Sequence, residues 1–449
     1  METRPGVTSA GLDFEVCRTT VPQGFPLPPC VPAYTYALDP RIDVTGEPSG
    51  KAASAFQPTT FPVRFTVREG ACSREDSYNW YVDDQQVIPR VDQPCVFVLD
   101  FAKEGTYRVR VEQLPPGTTG QVSGGVYVDD VVVQDFLIAS LGDSAASGEG
   151  NRPFTDGSLA SICHRSKTAF GLQAAREIED ADPRSSVTFV HLACTGARLA
   201  GAALPDRDIV YQLKRLEALV GDREIDALQV SIGINDLEFA GFIVGCALHT
   251  RCEDAREYRD VSLGNAFDEI RDYLRNRPRT PTYDQALSAL RGRLPDLFKR
   301  LDQEIRKRFP DLPSSRVYLV GYPDPLLDER GRPCDPLIRG FPAPAAFRES
   351  GEGEVSWAER QFVQGLRADL ANAASRRGWS YVDMGAAGFE THGYCSADSW
   401  FVGARKALGK FNPTGIFHPN AAGHHAMADV LEQRLETDLL PGGTPRAPA

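Results

Sequence analysis

Two residues that lie far apart in this sequence, a serine and a histidine, have the types that acyl transfer requires. Ser144 lies in the stretch LGDSAASGEG (residues 141–150), directly after an apolar run that predicts a buried strand. A serine hydroxyl is a weak nucleophile at neutral pH and needs a base within hydrogen-bond reach. His418 is the candidate base, because a histidine titrates near neutral pH. The alternatives are an ordinary turn serine and a polar residue at the start of a helix.

Acyl transfer also needs hydrogen-bond donors for the oxyanion that forms in the transition state. The candidate donors are the backbone N–H groups of Ser144 and Gly196 and the side-chain amide of Asn235. Glycine at position 196 lets the backbone approach a substrate closely. The alternative for Asn235 is a helix N-cap.

The elements that must position these residues are predicted from about residue 134 onward, where strands alternate with helices. The predicted strands are DFLIASLGD, SSVTFVHLA, IDALQVSIG, SRVYLVGYP and WSYVDM. The helical region TYDQALSALRGRLPDLFKRLDQEIRKRF is expected to break at Pro295, and an amphipathic helix is expected to end at Gly378. This alternation predicts a parallel sheet covered by helices on both faces. Functional residues of such sheets collect beyond the carboxyl ends of the strands, where Ser144, Gly196 and Asn235 lie.

The remaining chain is predicted to form three further segments. Residues 1–54 are rich in proline and glycine and predict an extended segment. Residues 55–133 contain short alternating strands without helices, which predicts a small antiparallel β-sandwich domain. We assign residues 134–440 to the catalytic domain and expect residues 441–449 to be disordered.

Composition excludes several function classes. The formal net charge of −12 argues against nucleic acid as a partner. The sequence has no run of 18 apolar residues, so we expect no transmembrane helix, and its start lacks the apolar segment of a signal peptide. Ten cysteines without a C-x-x-C pair favour disulfides in an oxidising compartment over free thiols in a cytosolic enzyme. We therefore expect a secreted protein in a mature form.

Four short stretches resemble the four sequence blocks of the SGNH (GDSL-type) hydrolase family. These stretches are GDSAASGEG, ACTGA, GIND and HPN, and the resemblance covers residues 134–437. It implies a flavodoxin-like three-layer α/β/α hydrolase domain, here preceded by an Ig-like β-sandwich. It further implies that Ser144 is the nucleophile, that His418 is the base, and that Ser144, Gly196 and Asn235 form the oxyanion hole.

Further stretches, CHRS and GYCSADSWF among them, resemble secreted actinobacterial-type esterases and lipases. That resemblance implies three disulfides, and the remaining cysteines are then expected to pair locally. The five expected pairs are Cys163–Cys194, Cys246–Cys252, Cys334–Cys395, Cys17–Cys30 and Cys72–Cys95.

The sequence departs from the family at the position of the triad acid. The usual last block is Asp-x-x-His, but Gly415 stands three residues before His418. Some relatives of this subgroup orient the imidazole with a main-chain carbonyl instead. The resulting hypothesis is a Ser144–His418 dyad in which the Gly415 carbonyl accepts a hydrogen bond from Nδ1.

The sequence thus predicts a secreted serine ester hydrolase of the esterase or lipase type that needs no metal or cofactor. Its expected partner is a small-molecule or lipid ester, and we expect a monomer. The alternatives are a carbohydrate O-deacetylase and a surface-binding protein with an idle hydrolase domain. Phe239, Phe242 and Ile243 follow the oxyanion asparagine and either line an acyl pocket or belong to the helix core.

Overall fold

The structure is a computed structural model. It describes residues 34–38, 56–67, 75–93, 95–117, 126–154, 162–182, 184–202, 204–239, 242, 282–334, 352–403 and 415–440. The chain divides into two compact units. The first contains the described residues of Met1–Ile42, Pro58–Phe136 and Glu179–Val187, and the second contains those of Asp43–Gln57, Leu137–Ile178 and Thr188–Ala449. The main division lies within one strand, close to the predicted boundary between residues 133 and 134.

The first unit consists of antiparallel strands whose apolar residues form one cluster. One sheet has the order β1–β2–β6–β5, formed by Tyr34–Leu38, Phe61–Val67, Val96–Phe101 and Arg90–Gln93. The second group has the order β8–β7–β3–β4, formed by Val126–Gly142, Gly105–Leu114, Ser77–Val82 and Gln85–Val87. Every second residue of β2 is buried, and its Phe65 ring lies 5.1 Å from the buried Trp80 of β3. This alternation is the predicted period of two, and it buries one face of β2.

The second unit contains the predicted α/β sheet. Its strands are the end of β8, β9 (Ser185–His191), β10 (Ala227–Ser231), β11 (Val317–Val320) and β12 (Ser380–Val382). The spatial order is β9–β8–β10–β11–β12, and β8, β10, β11 and β12 pair in parallel. In chain order this is 2-1-3-4-5, the flavodoxin-like arrangement, whose switch point lies between β8 and β10.

Helices cover this sheet on both of its faces. They are α1 (Ser144–Ser147), α2 (Phe170–Ala181), α3 (Ile209–Val220), α4 (Tyr283–Arg308), α5 (Glu352–Ala358), α6 (Gly365–Ser375) and α7 (Ala421–Leu439), and a π-helical turn at Glu359–Gln364 joins α5 to α6. Single turns of 3₁₀ helix occupy Pro205–Arg207, Asn235–Leu237, Ser314–Arg316, Met384–Ala387 and Phe389–Thr391. Leu141 of β8 shares a hydrophobic cluster with α3 and α4, whereas Ser140 faces Gly171 of α2. The second unit therefore has three layers.

The expected break at Pro295 is wrong, because α4 continues through this residue. A proline inside a helix costs about 3 kcal/mol, since it removes one backbone hydrogen bond and crowds the preceding turn. Leu294, Leu297 and Phe298 flank Pro295 and are all buried in the cluster. Burial of three large apolar side chains outweighs that cost. The helix predicted to end at Gly378 ends at Ser375, and Gly378 has a φ of +69° in the turn that follows.

Gly142 ends β8 where only a glycine fits, which gives a test of the fold. Its φ is +133°, and an added Cβ would lie 2.0 Å from the Ser231 carbonyl oxygen of β10. We expect Gly142→Ala to lower the free energy of unfolding by more than about 3 kcal/mol, because strain and overlap add. Urea denaturation measures this change.

Gly292→Ala is the matched control. Gly292 lies inside α4, and an added Cβ would meet nothing within 4 Å. We expect it to stabilise the protein by about 0.5–1 kcal/mol, the difference in helix propensity. Equal effects of the two substitutions would contradict the close approach of β8 to β10.

Candidate active site

Ser144 is positioned by the sharp turn between β8 and α1. Asp143 precedes it as the N-cap of α1, and its side chain accepts a hydrogen bond from the Ala145 N–H at 3.1 Å. Gly148 ends this short helix in the left-handed conformation, with a φ of 84°. The turn therefore holds Ser144 at the carboxyl end of β8, at the switch point of the sheet.

His418 reaches Ser144 from the loop before α7. Its Nε2 lies 2.7 Å from Ser144 Oγ, which is a good hydrogen-bond distance. The loop is anchored on one side, where the His418 carbonyl accepts the Val402 N–H at 2.8 Å. On the other side Asn420 caps α7 and accepts the N–H groups of Ala422 and Gly423. The structure thus brings the predicted nucleophile and base together.

The partner of the imidazole Nδ1 differs by one residue from the expected one. Nδ1 of His418 lies 3.3 Å from the carbonyl oxygen of Ile416. The Gly415 carbonyl instead accepts the backbone N–H of His418 at 3.1 Å. The reason is local: the Gly415–His418 turn directs the Gly415 carbonyl to the backbone, which leaves the Ile416 carbonyl facing the ring.

The second loop, after β9, carries Gly196 and is tied to the nucleophile turn. The Cys194 N–H donates to the Gly142 carbonyl at 2.9 Å, and Cys194 forms a disulfide with Cys163. The Thr195 N–H donates to the Cys163 carbonyl at 3.1 Å. Gly196 then adopts a φ of +80°, which favours glycine. The disulfide and the two hydrogen bonds bring the strand end that carries Gly196 beside the turn that carries Ser144.

The third loop, after β10, carries Asn235 and is tied to the second loop. The Asn235 side chain donates from Nδ2 to the Ala197 carbonyl at 3.0 Å, so it does not act as an N-cap. The neighbouring Asp236 accepts the N–H groups of Leu199 and Ala200, both at 2.8 Å. Asp236 thus bridges the third loop to the second. The three strand ends that carry the predicted oxyanion donors thus lie together.

Tyr322 is a site residue that sequence reasoning missed. It lies in GYPDP after β11, and its hydroxyl donates to Asp143 Oδ2 at 2.6 Å and accepts the Ile234 N–H at 3.3 Å. Burial raises the pKa of Asp143 to about 7, although the Tyr322 and Ala145 hydrogen bonds oppose the shift. Burial and the Asp143 charge raise the pKa of Tyr322 well above its usual range. The only signal in the sequence was the position of Tyr322 at a strand end.

Glu149 was also missed, although it lies inside the first family block. Its side chain is completely buried and accepts hydrogen bonds from His164 Nδ1 at 2.5 Å and from Thr195 Oγ1 at 2.7 Å. Burial raises its pKa, but the His164 hydrogen bond and the charges of His418 and His164 outweigh burial and lower the pKa to about 2. The hydrophobic pattern of the sequence does not predict that Glu149, five residues after the nucleophile, is buried, because a polar turn residue is expected to be exposed.

The three residues proposed for an acyl pocket differ in their surroundings. Phe242 is buried, and its ring packs against Tyr283 of α4 at 5.4 Å and against Phe362 at 5.4 Å. Phe239 is half-buried and also contacts the Phe362 ring, whereas Ile243 lies outside the described residues. The ring of Phe242 is thus enclosed by other aromatic rings, which favours the core alternative for this residue.

Two of the five expected disulfides are present in the described residues. Cys163 pairs with Cys194 and Cys334 pairs with Cys395, as predicted. Cys95 is disulfide-bonded, but its expected pairing with Cys72 lies outside the described residues, as do Cys17–Cys30 and Cys246–Cys252.

Comparison with known proteins assigns the chain to one family. The sequence profile of the GDSL-like Lipase/Acylhydrolase family matches residues 140–426, which is more than half of the chain. The chain belongs to this family. It is a carboxylic ester hydrolase, as the sequence predicted. A comparison with curated proteins finds no match.

Solved structures resemble the hydrolase at low sequence identity. An extracellular lipase from Streptomyces rimosus is 19% identical with a TM-score of 0.44, and the alignment covers 66% of this chain and 98% of the lipase. A phospholipase A1 from Streptomyces albidoflavus is 22% identical with a TM-score of 0.40, covering 67% of this chain and 99% of that one. An acetyl xylan esterase from Geobacillus stearothermophilus is 15% identical with a TM-score of 0.33, covering 69% and 99%.

The described residues of the hydrolase contain neither a membrane-spanning helix nor a metal-binding cluster. No helix there has the length and apolar character that crossing a membrane requires. In the same part of the chain, no group of three or more His, Cys, Asp or Glu side chains is arranged to hold a metal ion.

The raised pKa of Asp143 predicts a pH-dependent cost in stability. Because the folded protein favours the protonated carboxyl, the cost appears as the pH rises from the usual value of 3.8 to about 7 and stays constant above it. We expect Asp143→Asn to remove this component, since the amide does not ionise and can still accept the Ala145 N–H. Urea denaturation of both proteins at pH 4.5 and pH 8 measures the effect.

For each pH we subtract the free energy of unfolding of Asp143→Asn from that of the wild type. We expect this difference to be lower at pH 8 than at pH 4.5. The difference between the two proteins cancels the contributions of other titrating groups. A difference that does not change with pH would show that Asp143 titrates normally.

Proposed function

We propose that the hydrolase is a secreted serine ester hydrolase that cleaves carboxylic esters through an acyl-Ser144 intermediate. The single observation that supports this most directly is the 2.7 Å separation of His418 Nε2 and Ser144 Oγ. A nucleophile and a base at hydrogen-bond distance, at the switch point of an α/β sheet, are the arrangement that acyl transfer needs.

The proposed reaction begins when Ser144 Oγ attacks the ester carbonyl carbon and His418 Nε2 takes its proton. The imidazolium then donates this proton to the leaving alcohol oxygen as the C–O bond breaks. In deacylation, His418 takes a proton from a water molecule whose oxygen attacks the acyl carbon. The acyl–Oγ bond then breaks, and the imidazolium returns the proton to Ser144 Oγ as the acid leaves. The Ile416 carbonyl takes the orienting role that the sequence assigned to Gly415, because it faces Nδ1.

The proposed oxyanion hole consists of the backbone N–H groups of Ser144 and Gly196 and the amide of Asn235. An amide carries two N–H donors, and Ala197 uses one of those of Asn235. We assign the other to the substrate oxygen. The bonds of Asn235 and Asp236 to the second loop support this role, because donors that are already in place need no reorganisation during the reaction.

Two disulfides among the described residues support the proposal of an oxidising, extracellular location. We further propose that the first unit is an Ig-like β-sandwich. The antiparallel sheets of that unit and the single cluster that their inner faces form support this architecture.

Removal of the nucleophile tests the reaction. We expect Ser144→Ala to lower kcat by at least about 10⁴-fold, because no other group then forms the acyl intermediate. The measurement is the hydrolysis of p-nitrophenyl esters from acetate to palmitate. The chain-length profile of the native protein separates a short-acyl or acetyl substrate from a lipid.

Ser147→Ala is the matched control. Ser147 lies in the same short helix, but its hydroxyl donates to the Ser144 carbonyl. We expect this variant to retain most of the activity. Full activity in Ser144→Ala, or the same loss in both variants, would contradict the proposal.

Removal of the side-chain donor tests the oxyanion hole. We expect Asn235→Ala to lower kcat by about 10²–10³-fold with little change in KM, because the amide acts mainly in the transition state. Asn79→Ala, in β3 of the first unit, is the control and is expected to change neither constant. A rise in KM with unchanged kcat would assign Asn235 to substrate binding instead.

A further inference from the structure

Glu149 contacts the segment that carries the nucleophile, and the residue after it packs against the segment that carries the base. Its backbone N–H donates to the Ser144 carbonyl at 3.0 Å. The next residue, Gly150, packs against the loop of His418, since an added Cβ there would lie 3.2 Å from the Gly415 carbonyl oxygen. The backbone around Glu149 thus contacts both segments that carry the proposed dyad.

The carboxylate of Glu149 is held in place by two side chains. His164 Nδ1 lies 2.5 Å away and Thr195 Oγ1 lies 2.7 Å away, and Thr195 directly precedes Gly196. The side chain is fully buried, so its charge is poorly screened by water. Since its pKa is about 2, the group is an anion at every pH at which an esterase is assayed.

The charge of Glu149 acts on His418. The charges that act on Glu149 include those of His164 and His418, and the interaction with His418 favours the carboxylate anion. Such an interaction is mutual, so the anion favours the His418 imidazolium. His424 also faces His418, but burial lowers the pKa of His424 to about 3, and it is neutral.

We propose that Glu149 is a positioning residue that supplies, through space, the negative charge that a triad carboxylate supplies through Nδ1. This inference rests on the proposed function of Ser144 and His418. A main-chain carbonyl at Nδ1 orients the ring but carries no full charge. A buried anion that interacts electrostatically with His418 stabilises the imidazolium as it forms, and its hydrogen bond to Thr195 orders the loop of Gly196.

The test is Glu149→Gln, which keeps the size of the side chain and removes the charge. As the base, His418 must be neutral, so kcat/KM rises with pH as the imidazolium loses its proton. Loss of the anion disfavours the imidazolium. We therefore expect the acidic limb of kcat/KM to move to lower pH by about one unit, the size of one charge interaction in a poorly screened site. We also expect kcat to fall about tenfold with KM nearly unchanged.

The matched control is Asp226→Asn. Asp226 accepts the Leu137 N–H at the amino end of β10, at the end of the sheet opposite to Ser144. We expect its pH profile to match that of the native protein. An acidic limb that does not move in a folded Glu149→Gln protein overturns the inference, because a structural role alone lowers kcat without moving the limb.

His164→Gln keeps the test decisive if Glu149→Gln does not fold. This substitution removes the imidazole that interacts with the Glu149 carboxylate. The Glu149 charge then acts more strongly on His418, and the acidic limb of kcat/KM moves to higher pH. An unchanged limb in this variant also overturns the inference. Ser144→Ala separates the two proposals: if it is inactive, a failure at Glu149 leaves the proposed function intact, whereas an active Ser144→Ala refutes the proposed function itself.

Discussion

The hydrogen bond between Ser144 and His418 is the constraint on which the second unit depends. The two residues are 274 positions apart, yet Oγ and Nε2 lie 2.7 Å from each other. In the proposed mechanism a displacement of about 1 Å at this contact lowers the rate about 10²-fold. The nucleophile turn and the loop before α7 must therefore both be held rigidly, and the structure holds each of them from two sides.

The strand ends are tied to one another by hydrogen bonds that involve the backbone. The Cys194 N–H donates to the Gly142 carbonyl, and the Asn235 side chain donates to the Ala197 carbonyl. The Asp236 carboxylate accepts the N–H groups of Leu199 and Ala200. Each tie joins one strand end to the next, so the three loops form one connected edge at the switch point of the sheet. Donors held in this way stabilise a developing charge without reorganisation, which is the largest effect in most acyl-transfer enzymes.

Buried ionisable groups surround this edge, and their pKa values are shifted in opposite directions. Asp143, with mainly burial acting on it, has a pKa raised to about 7, whereas Glu149, with His164 and His418 beside it, has a pKa lowered to about 2. The pKa values of two carboxyl groups six residues apart thus shift in opposite directions because their neighbours differ. Burial favours the protonated form of Asp143, which still accepts the Ala145 N–H, whereas the Glu149 anion accepts hydrogen bonds from His164 and Thr195.

The sequence by itself determined the order of elements and the residues at the strand ends. Alternating apolar runs predicted β2, β8, β9, β10, β11 and β12, because burial of a strand face leaves a period of two or a continuous apolar run. The family blocks predicted Ser144, Gly196, Asn235 and His418 as site residues, because turn glycines and polar strand ends are local features of the chain.

Only the tertiary structure decided the contacts that depend on packing between distant segments. It continued α4 through Pro295, placed Ile416 instead of Gly415 at Nδ1, and buried Phe242 in the core. It also brought Tyr322 to Asp143 and Glu149 to His164 and Thr195. No local pattern encodes these outcomes, since the energy of a buried apolar face or a buried charge is set by the neighbours that the whole fold supplies.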